Sequence, residues 1–466
     1  MYNYNSIHKK IIVDTITPVS IYLKLRDQFS NTILLESSDY IAKDNSYAYI
    51  CCNPIAKFFV KKNTLYTEFP DKRCEEKKLN PDSNIFSELT GFMEKFKISE
   101  KVKINKKFIT KGLFGYMSYD SVKFFENIQV NNKSFGDDIP EIFYSLYSEI
   151  IVINTFNNEA TLISQTGDSN QLHNIEKIIK TKSINEFSLK LEGKLKSNLN
   201  DEEFIKIVKK GIKHCYRGDV FQIVLSRKFS QKFSGDEFCV YRQLRSINPS
   251  PYLFYFDYGN FKIFGSSPEA QLVVNDQKAE IHPIAGTFKR TGDDSLDSEK
   301  AIKLFKDDKE NSEHMMLVDL ARNDLSKSCS KVLVEKNREI QFYSHVIHLV
   351  SKVTGKLKSS SKDIIGSTFP AGTLSGAPKH MAMNLIEKYE QHARSFYGGA
   401  IGFIDFENNF NHAIIIRSFL SKNQNLYFQA GAGVVSKSNP KNELNEVYNK
   451  IGALLKALEK AEDIWK

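Results

Sequence analysis

No stretch of this chain reaches the ~18 consecutive apolar residues of a membrane-spanning helix. The first segment, MYNYNSIHKKIIVDTITPVS, carries a basic pair, but Asp14 and Pro18 break the short apolar run after it. A secretory signal needs an apolar core of roughly 7–15 residues and a small-residue cleavage site, and neither is present. The six cysteines, Cys51, Cys52, Cys74, Cys215, Cys239 and Cys329, form no C-x-x-C pair. That argues against zinc and dithiol motifs and suits reduced thiols in the cytoplasm. There is no internal repeat and no low-complexity tract.

Nucleotide motifs also fall short. AGTLSGAPK (371–379) lacks the G-K-[ST] ending of a phosphate loop. QAGAGVVS (429–436) has Ser436 where a third glycine would complete G-x-G-x-x-G, and no parallel βαβ unit surrounds it. The net charge is +9, with 65 basic against 56 acidic residues. The lysines are scattered and no nucleic-acid-binding motif accompanies them, so neither a nucleic acid nor a membrane is expected as partner.

What is present is ordinary globular composition, 41% hydrophobic and 26% charged, enough to bury a large core. The pattern changes near residue 200. An N-terminal region, 1–190, holds short strand-like runs such as SIYLKL, NTILLESS and AYICCNP. Residues 169 to 200 are polar and read as a connector with a helical patch. A second region, 196–466, opens with a helix capped at Asn200 or Asp201, with Glu203 placed for a capping box and Gly218 to end it.

Strands come next. YLFYFDYGNFKIFGSS and QLVVNDQKAEIHPIAG carry turn letters between β-branched and aromatic runs. FNHAIIIRSFL and NLYFQAGAGVV flank SKNQ as a further hairpin. These runs lie too close for crossover helices, which need about 10–12 residues, so the sheet is expected to be antiparallel. DDKENSEHMMLVDLARNDL and NPKNELNEVYNKIGALLKALEKA read as amphipathic helices. The class is α+β, with both regions packed as one large unit.

Each of those two helices carries a pair of acids, Glu310 and Glu313 on the first, Glu443 and Glu446 on the last. The i, i+3 spacing puts each pair on one helical face. Such hard oxygen donors suit Mg²⁺, although E-x-x-E on a helix is usually a wet surface. The glycine clusters can turn main-chain N–H groups toward an anion or can be plain tight turns. Arg417, read as lying on a strand beside the GAG turn, would complete a carboxylate clamp.

SSPEAQL, HPIAGT, SEHMMLVDLARNDL, YSHVIHLVS, FPAGTLSGAPK, YGGAIGFIDF, IIIRS, QAGAGVV and NELNEVYNK follow one another through residues 200 to 460. On these stretches the sequence resembles the chorismate-utilising enzymes, and within them the component I group of the anthranilate synthases. The resemblance implies two packed, largely antiparallel sheets with helices outside. It implies Mg²⁺ held by Glu313 and Glu446, with Glu310 and Glu443 acting through water. It also implies chorismate contacts from Gly286, Thr287, Tyr397, Arg417, Gly431, Ala432, Gly433 and Lys450. Glu269 is the candidate general acid; His348 and Thr373 should line the ring, and His345 is the less apt histidine.

Two further positions bear on the product. Relatives that make 4-amino-4-deoxychorismate carry lysine where Ala285 stands, and isochorismate and salicylate synthases carry lysine where Gln222 stands. With neither lysine, the resemblance points to ammonia as the nucleophile and to anthranilate. No cysteine sits in a glutaminase G-x-C-x-G turn, so a glutamine amidotransferase subunit is the expected partner. Tryptophan is the expected inhibitor, between LLESS, with Ser37, and NPSPYL, with Pro251, Tyr252 and Leu253. An aminodeoxychorismate synthase component I and a non-catalytic chorismate or amino-acid sensor are the alternatives.

Overall fold

Two long strands, Tyr47–Lys61 and Ile142–Asn154, pair antiparallel and organise the molecule. The computed structural model describes residues 1–37, 46–80, 83–100, 108–130, 133–342, 346–358 and 361–464. Along Ile142–Asn154 the side chains alternate as in a pleated strand, but the face that meets the central core passes from odd to even positions between Tyr147 and Ile150. Phe143, Tyr147, Ile150 and Val152 face a central core. On the other side Tyr144 and Leu146 enter a second core, and Ile151 and Ile153 a third. The strand therefore runs through two layers and exchanges its outer neighbour midway.

From Tyr47–Lys61 one layer continues through Ile33–Glu36, Tyr252–Asp257, Phe261–Ser267, Ser418–Lys422, Asn425–Val434, Gln222–Gly235 and Leu189–Ser197. From Ile142–Asn154 the other continues through Gly112–Met117, Ala400–Asp405, Phe410–Ile414, Ala270–Asn275, Lys278–Ile281, Val346–Leu357 and Cys329–Phe342. Every one of these pairings is antiparallel; Tyr2–Ile12 with Phe96–Glu100 is parallel. Helices cover the outer faces. Asp201–Arg217, Phe238–Ile247 and Pro440–Ala461 pack on the first layer, and Ile85–Met93 and Asp308–Ser328 on the second. The expected α+β class with antiparallel layers and outer helices is what the chain forms.

Local signals explain several elements. The helix Asp201–Arg217 has its capping box at Asn200 and Glu203 and ends at Gly218 with φ +79°. The hairpins at Asp276–Gln277 and Asn423–Gln424 have both central residues at positive φ, the two-residue turn that matches strand twist.

Three readings need correction. The polar segment before residue 200 has the expected helical patch, Ser169–Lys180, but then forms the strand Leu189–Ser197, which pairs in the sheet rather than merely connecting. FNHAIIIRSFL is broken into Phe410–Ile414 and Ser418–Lys422. QAGAGVV is not a turn but the interior of the strand Asn425–Val434. The Gly-Thr step at 286–287 lies within the strand Ile284–Lys289, as a bulge with Gly286 at φ +71°. Among the described residues no helix is long and apolar enough to cross a membrane.

Candidate active site

One two-stranded ribbon passes between the layers. Phe261–Ser267 leads into Ala270–Asn275 on one side, and Phe410–Ile414 into Ser418–Lys422 on the other. The chain must bend where it changes layer, and these bends carry Glu269 and Arg417. Arg417 is therefore not on a strand: it sits in the bend at φ +48°. The bends are tied together by main-chain bonds, Ile414 N to Glu269 O at 3.0 Å and Ser266 N to Arg417 O at 3.1 Å.

Glu269 Oε1 accepts from the Thr373 hydroxyl at 3.0 Å. Thr373 stands in the short helical turn Gly372–Ser375, so AGTLSGAPK is not an open loop. Burial pushes the Glu269 carboxyl up to about 7, against the Thr373 hydrogen bond and the charges of Lys450 and Arg417. Burial likewise lowers the Arg417 guanidinium, opposed by Glu269. Lys450 Nζ donates to Gly431 O at 2.8 Å and pairs with Glu446 at 2.7 Å. One acid is thus flanked by two cations drawn from a bend and from the last helix.

The glycines of the Asn425–Val434 strand serve close approach. A Cβ on Gly431 would stand 3.1 Å from the Tyr397 hydroxyl, and one on Gly433 would stand 2.6 Å from Gln222 Nε2. Tyr397 is buried, its hydroxyl pushed upward by that burial. Ala432 faces the core between them.

On the second layer His348 Nδ1 lies 3.2 Å from the carbonyl of Gly286. A carbonyl only accepts, so Nδ1 carries the proton. Burial lowers the His348 imidazole to about 4, so the ring is neutral at neutral pH. A Cβ on Gly286 would stand 3.2 Å from Glu310 Oε2, which brings the helix Asp308–Ser328 over this bulge. Thr287 pairs in register with His348, and Ala285 with Leu349. His345 lies outside the described residues.

The four helix acids do not gather. Among the described residues no three His, Cys, Asp or Glu side chains come together as a metal cluster. The donor chemistry nonetheless fits Mg²⁺, which uses one or two protein carboxylates and completes its octahedron with water and substrate oxygens. Each helix offers such carboxylates: Glu310 and Glu313 partly accessible, Glu443 buried, Glu446 partly accessible beside Lys450.

The segments with Ser37 and with Pro251, Tyr252 and Leu253 are brought side by side, since Leu253 pairs with Glu36 in the sheet. Arg245 and Tyr241 both bond the Glu36 carboxylate there.

Sequence reasoning missed Arg394. This buried guanidinium donates to Leu374 O at 2.6 Å, to Val224 O at 2.7 Å and to the Glu390 carboxylate. It also lies 5.8 Å from the Tyr397 ring centre. The i, i+4 spacing of Glu390 and Arg394 was the available signal, and nothing in it marks a buried pair. Asn248, whose Oδ1 approaches Arg417 at 3.5 Å, carried no signal either.

A family model described as chorismate binding enzyme matches residues 53–456. The chain belongs to the chorismate binding enzymes. Within this family, anthranilate synthase component 1 of Aquifex aeolicus (strain VF5) is 34% identical, with 99% of this chain and 96% of that relative aligned. Its counterpart in Bacillus subtilis (strain 168) is 35% identical over 97% of this chain and 92% of the relative. The crystal structure of anthranilate synthase component I from Streptococcus pneumoniae TIGR4 superposes with a TM-score of 0.77 at 28% identity, covering 96% of this chain and 99% of that one. The menaquinone-specific isochorismate synthase of Escherichia coli shares the fold at 17% identity and a TM-score of 0.73, covering 97% and 94%.

Proposed function

We propose that this chain aminates chorismate at C2 with ammonia and then eliminates pyruvate to give anthranilate. The observation that carries the reading is the buried Glu269 carboxyl, bonded by Thr373, pushed up to about 7 and lying in the fields of both Lys450 and Arg417. Chorismate is a dianion, and a site for it needs two anion-binding ends with an acid between them.

Hydroxide is a poor leaving group and departs as water when an acid protonates it. Thr373 donates to Oε1, so the Glu269 proton resides on the other oxygen, available to the C4 hydroxyl. Arg417, Tyr397 and the main chain at Gly431 to Gly433 hold the enolpyruvyl carboxylate, and Gly286 and Thr287 border the ring. His348, neutral and with its proton on Nδ1, presents Nε2 as a weak acceptor for the proton lost on aromatisation.

Glu313 and Glu446 would hold Mg²⁺, with Glu310 and Glu443 acting through water. Bound there, the ion would neutralise and orient the ring carboxylate. Lys450 stays close enough to Glu446 to hold that side chain in place.

Ala285 and Gln222 direct the product. Neither side chain can attack C2 or act as a base toward water at neutral pH, which leaves an external nucleophile strong enough unaided. The full-length relatives named anthranilate synthase component 1 support the same product and imply a second component. Its role here is to release ammonia from glutamine. Four of the six cysteines, Cys51, Cys52, Cys239 and Cys329, do not suit that chemistry, being buried with thiols raised by that burial. Tryptophan is the proposed inhibitor, bound where Ser37 meets Pro251, Tyr252 and Leu253.

The test is direct. Chorismate, Mg²⁺ and ammonium with the purified chain should give fluorescent anthranilate, and glutamine in place of ammonium should not. An amino-deoxychorismate product, or none, would refute the reading.

A further inference from the structure

The strand Gln222–Gly235 pairs with Asn425–Val434 along one side, from Ile223 to Lys232. Its other side is interrupted. The short strand Gly376–Ala377 pairs with Gln222 and Ile223, and Leu189–Ser197 pairs only from Phe229 onward. Among the described residues no strand pairs with Val224 to Lys228 on that side. Alternate residues of a strand aim their main-chain N–H and C=O groups at the same edge, and buried groups of this kind need partners. Lys228 N finds Asn198 Oδ1 at 2.8 Å. One ion pair meets the other two positions. Glu390 Oε1 accepts from Ser226 N at 2.8 Å and from the Ser226 hydroxyl at 2.7 Å. Arg394 Nη2 donates to Val224 O at 2.7 Å.

The pair has a further hold. Arg394 Nη1 donates to Leu374 O at 2.6 Å, and Leu374 follows Thr373, the donor to Glu269. Leu374 also packs with Tyr397 and Ile414 in one small apolar cluster, and Ile414 N bonds the carbonyl of Glu269. Glu390 grips the guanidinium from behind at two points, Nε to Oε2 at 2.9 Å and Nη2 to Oε1 at 2.6 Å. A planar group held in this way fixes the Leu374 carbonyl relative to that of Val224, which lies two residues along the strand from Gln222. A lysine offers one nitrogen on a flexible stem and cannot keep that separation.

We propose that Arg394, clamped by Glu390, is a positioning residue: it holds the turn Gly372–Ser375 against the strand Gln222–Gly235 and so keeps the Thr373 hydroxyl on Glu269. The inference rests on the amination reading and adds what aims its acid. Arg394 itself touches no reacting atom and acts through Thr373.

Initial rates of anthranilate formation across pH, with chorismate varied at saturating ammonium and Mg²⁺, test it on the full chain. Arg394→Lys keeps a charge beside Glu390 and loses the fork. It should lower kcat about tenfold and change KM for chorismate less than about threefold. It should also move the alkaline limb to higher pH, because a slackened Thr373 bond no longer lowers the Glu269 carboxyl. Adding Thr373→Val to Arg394→Lys should cost less than about twofold more in kcat, since both changes act on one bond. Glu390→Gln keeps an acceptor for Ser226 but loosens the grip on the fork, and should shift the limb the same way by less. Circular dichroism melts report whether each variant is folded.

A folded Arg394→Lys chain with the parental kcat and limb would overturn the proposal. So would losses that multiply in the double variant, or a limb that stays in place while kcat falls. If Arg394→Lys does not fold, Glu390→Gln decides by the same limb and the same pairing with Thr373→Val. Two variants that both fail to fold would make the ion pair a support of the core alone and would overturn the positioning role. An unaltered chain that makes no anthranilate from ammonium instead overturns the amination reading itself.

Discussion

Thr373 donates to Glu269 Oε1 across 3.0 Å, joining a short helical turn to the bend where a strand changes layer. That bond lowers the Glu269 carboxyl, yet burial outweighs it together with the charges of Lys450 and Arg417. The acid is held protonated near neutrality by its surroundings and aimed by a neighbour.

Glu269→Gln should abolish most activity, with losses of about a hundredfold or more in kcat. It should also change stability with a definite sign. The folded carboxyl titrates at about 7, above the ordinary 4.5. The stability it confers in its neutral form is complete below about pH 4.5 and is lost as pH rises through 7. The glutamine variant should therefore melt higher than the parent at pH 8, by on the order of 3 kcal/mol at most, and the gap should close at low pH. Calorimetry across that range checks it; equal melting at pH 8 would remove Glu269 from the buried acid role.

Thr373→Val deletes the donor that lowers this carboxyl. The alkaline limb of the pH–rate profile should move to higher pH, and kcat should fall about tenfold through lost aim. A limb that stays in place would separate the two residues.

His348 titrates at about 4 in the fold, below its ordinary 6.5. Its neutral form contributes stability that is present above pH 6.5 and lost as pH falls through 4. His348→Asn should flatten the acid side of the stability curve and slow the pyruvate-releasing step. Single-turnover traces that show no accumulated aminated intermediate would count against that step.

Glu313→Gln and Glu446→Gln should each weaken Mg²⁺ binding about ten- to hundredfold in the presence of chorismate, read by titration calorimetry. Both variants should stay folded, because neither side chain is buried. Unchanged affinity would assign the ion elsewhere.

Ser37→Phe should abolish tryptophan binding, and saturating chorismate should weaken tryptophan binding to the parent chain by the same factor that tryptophan weakens chorismate. If chorismate leaves the tryptophan affinity unaltered, the two sites are not coupled.

Much of this site was legible as residues and little of it as geometry. The capping box at Asn200 and Glu203, and the turns at Asp276–Gln277 and Asn423–Gln424, are local and announce themselves. The strand Leu189–Ser197 did not, because most of its side chains are exposed and an exposed strand shows no apolar alternation. Gly431 and Gly433 look like turn residues, but here glycine makes room for Tyr397 and Gln222. The bend at Arg417 interrupts an apolar run, IIIRSFL, without a turn letter. Arg394 was hidden because its partners are main-chain carbonyls at Val224 and Leu374, which no side-chain pattern encodes.

The bends that hold Glu269 and Arg417 lie one short relay from the Ser37 segment. Leu253 stands opposite Glu36 on one side and opposite Ser266 on the other in the sheet register. Ser266 in turn donates its N–H to the carbonyl of Arg417 and precedes Glu269 by three residues. Two strands of one sheet thus separate the Glu36 segment from the bend that carries Arg417.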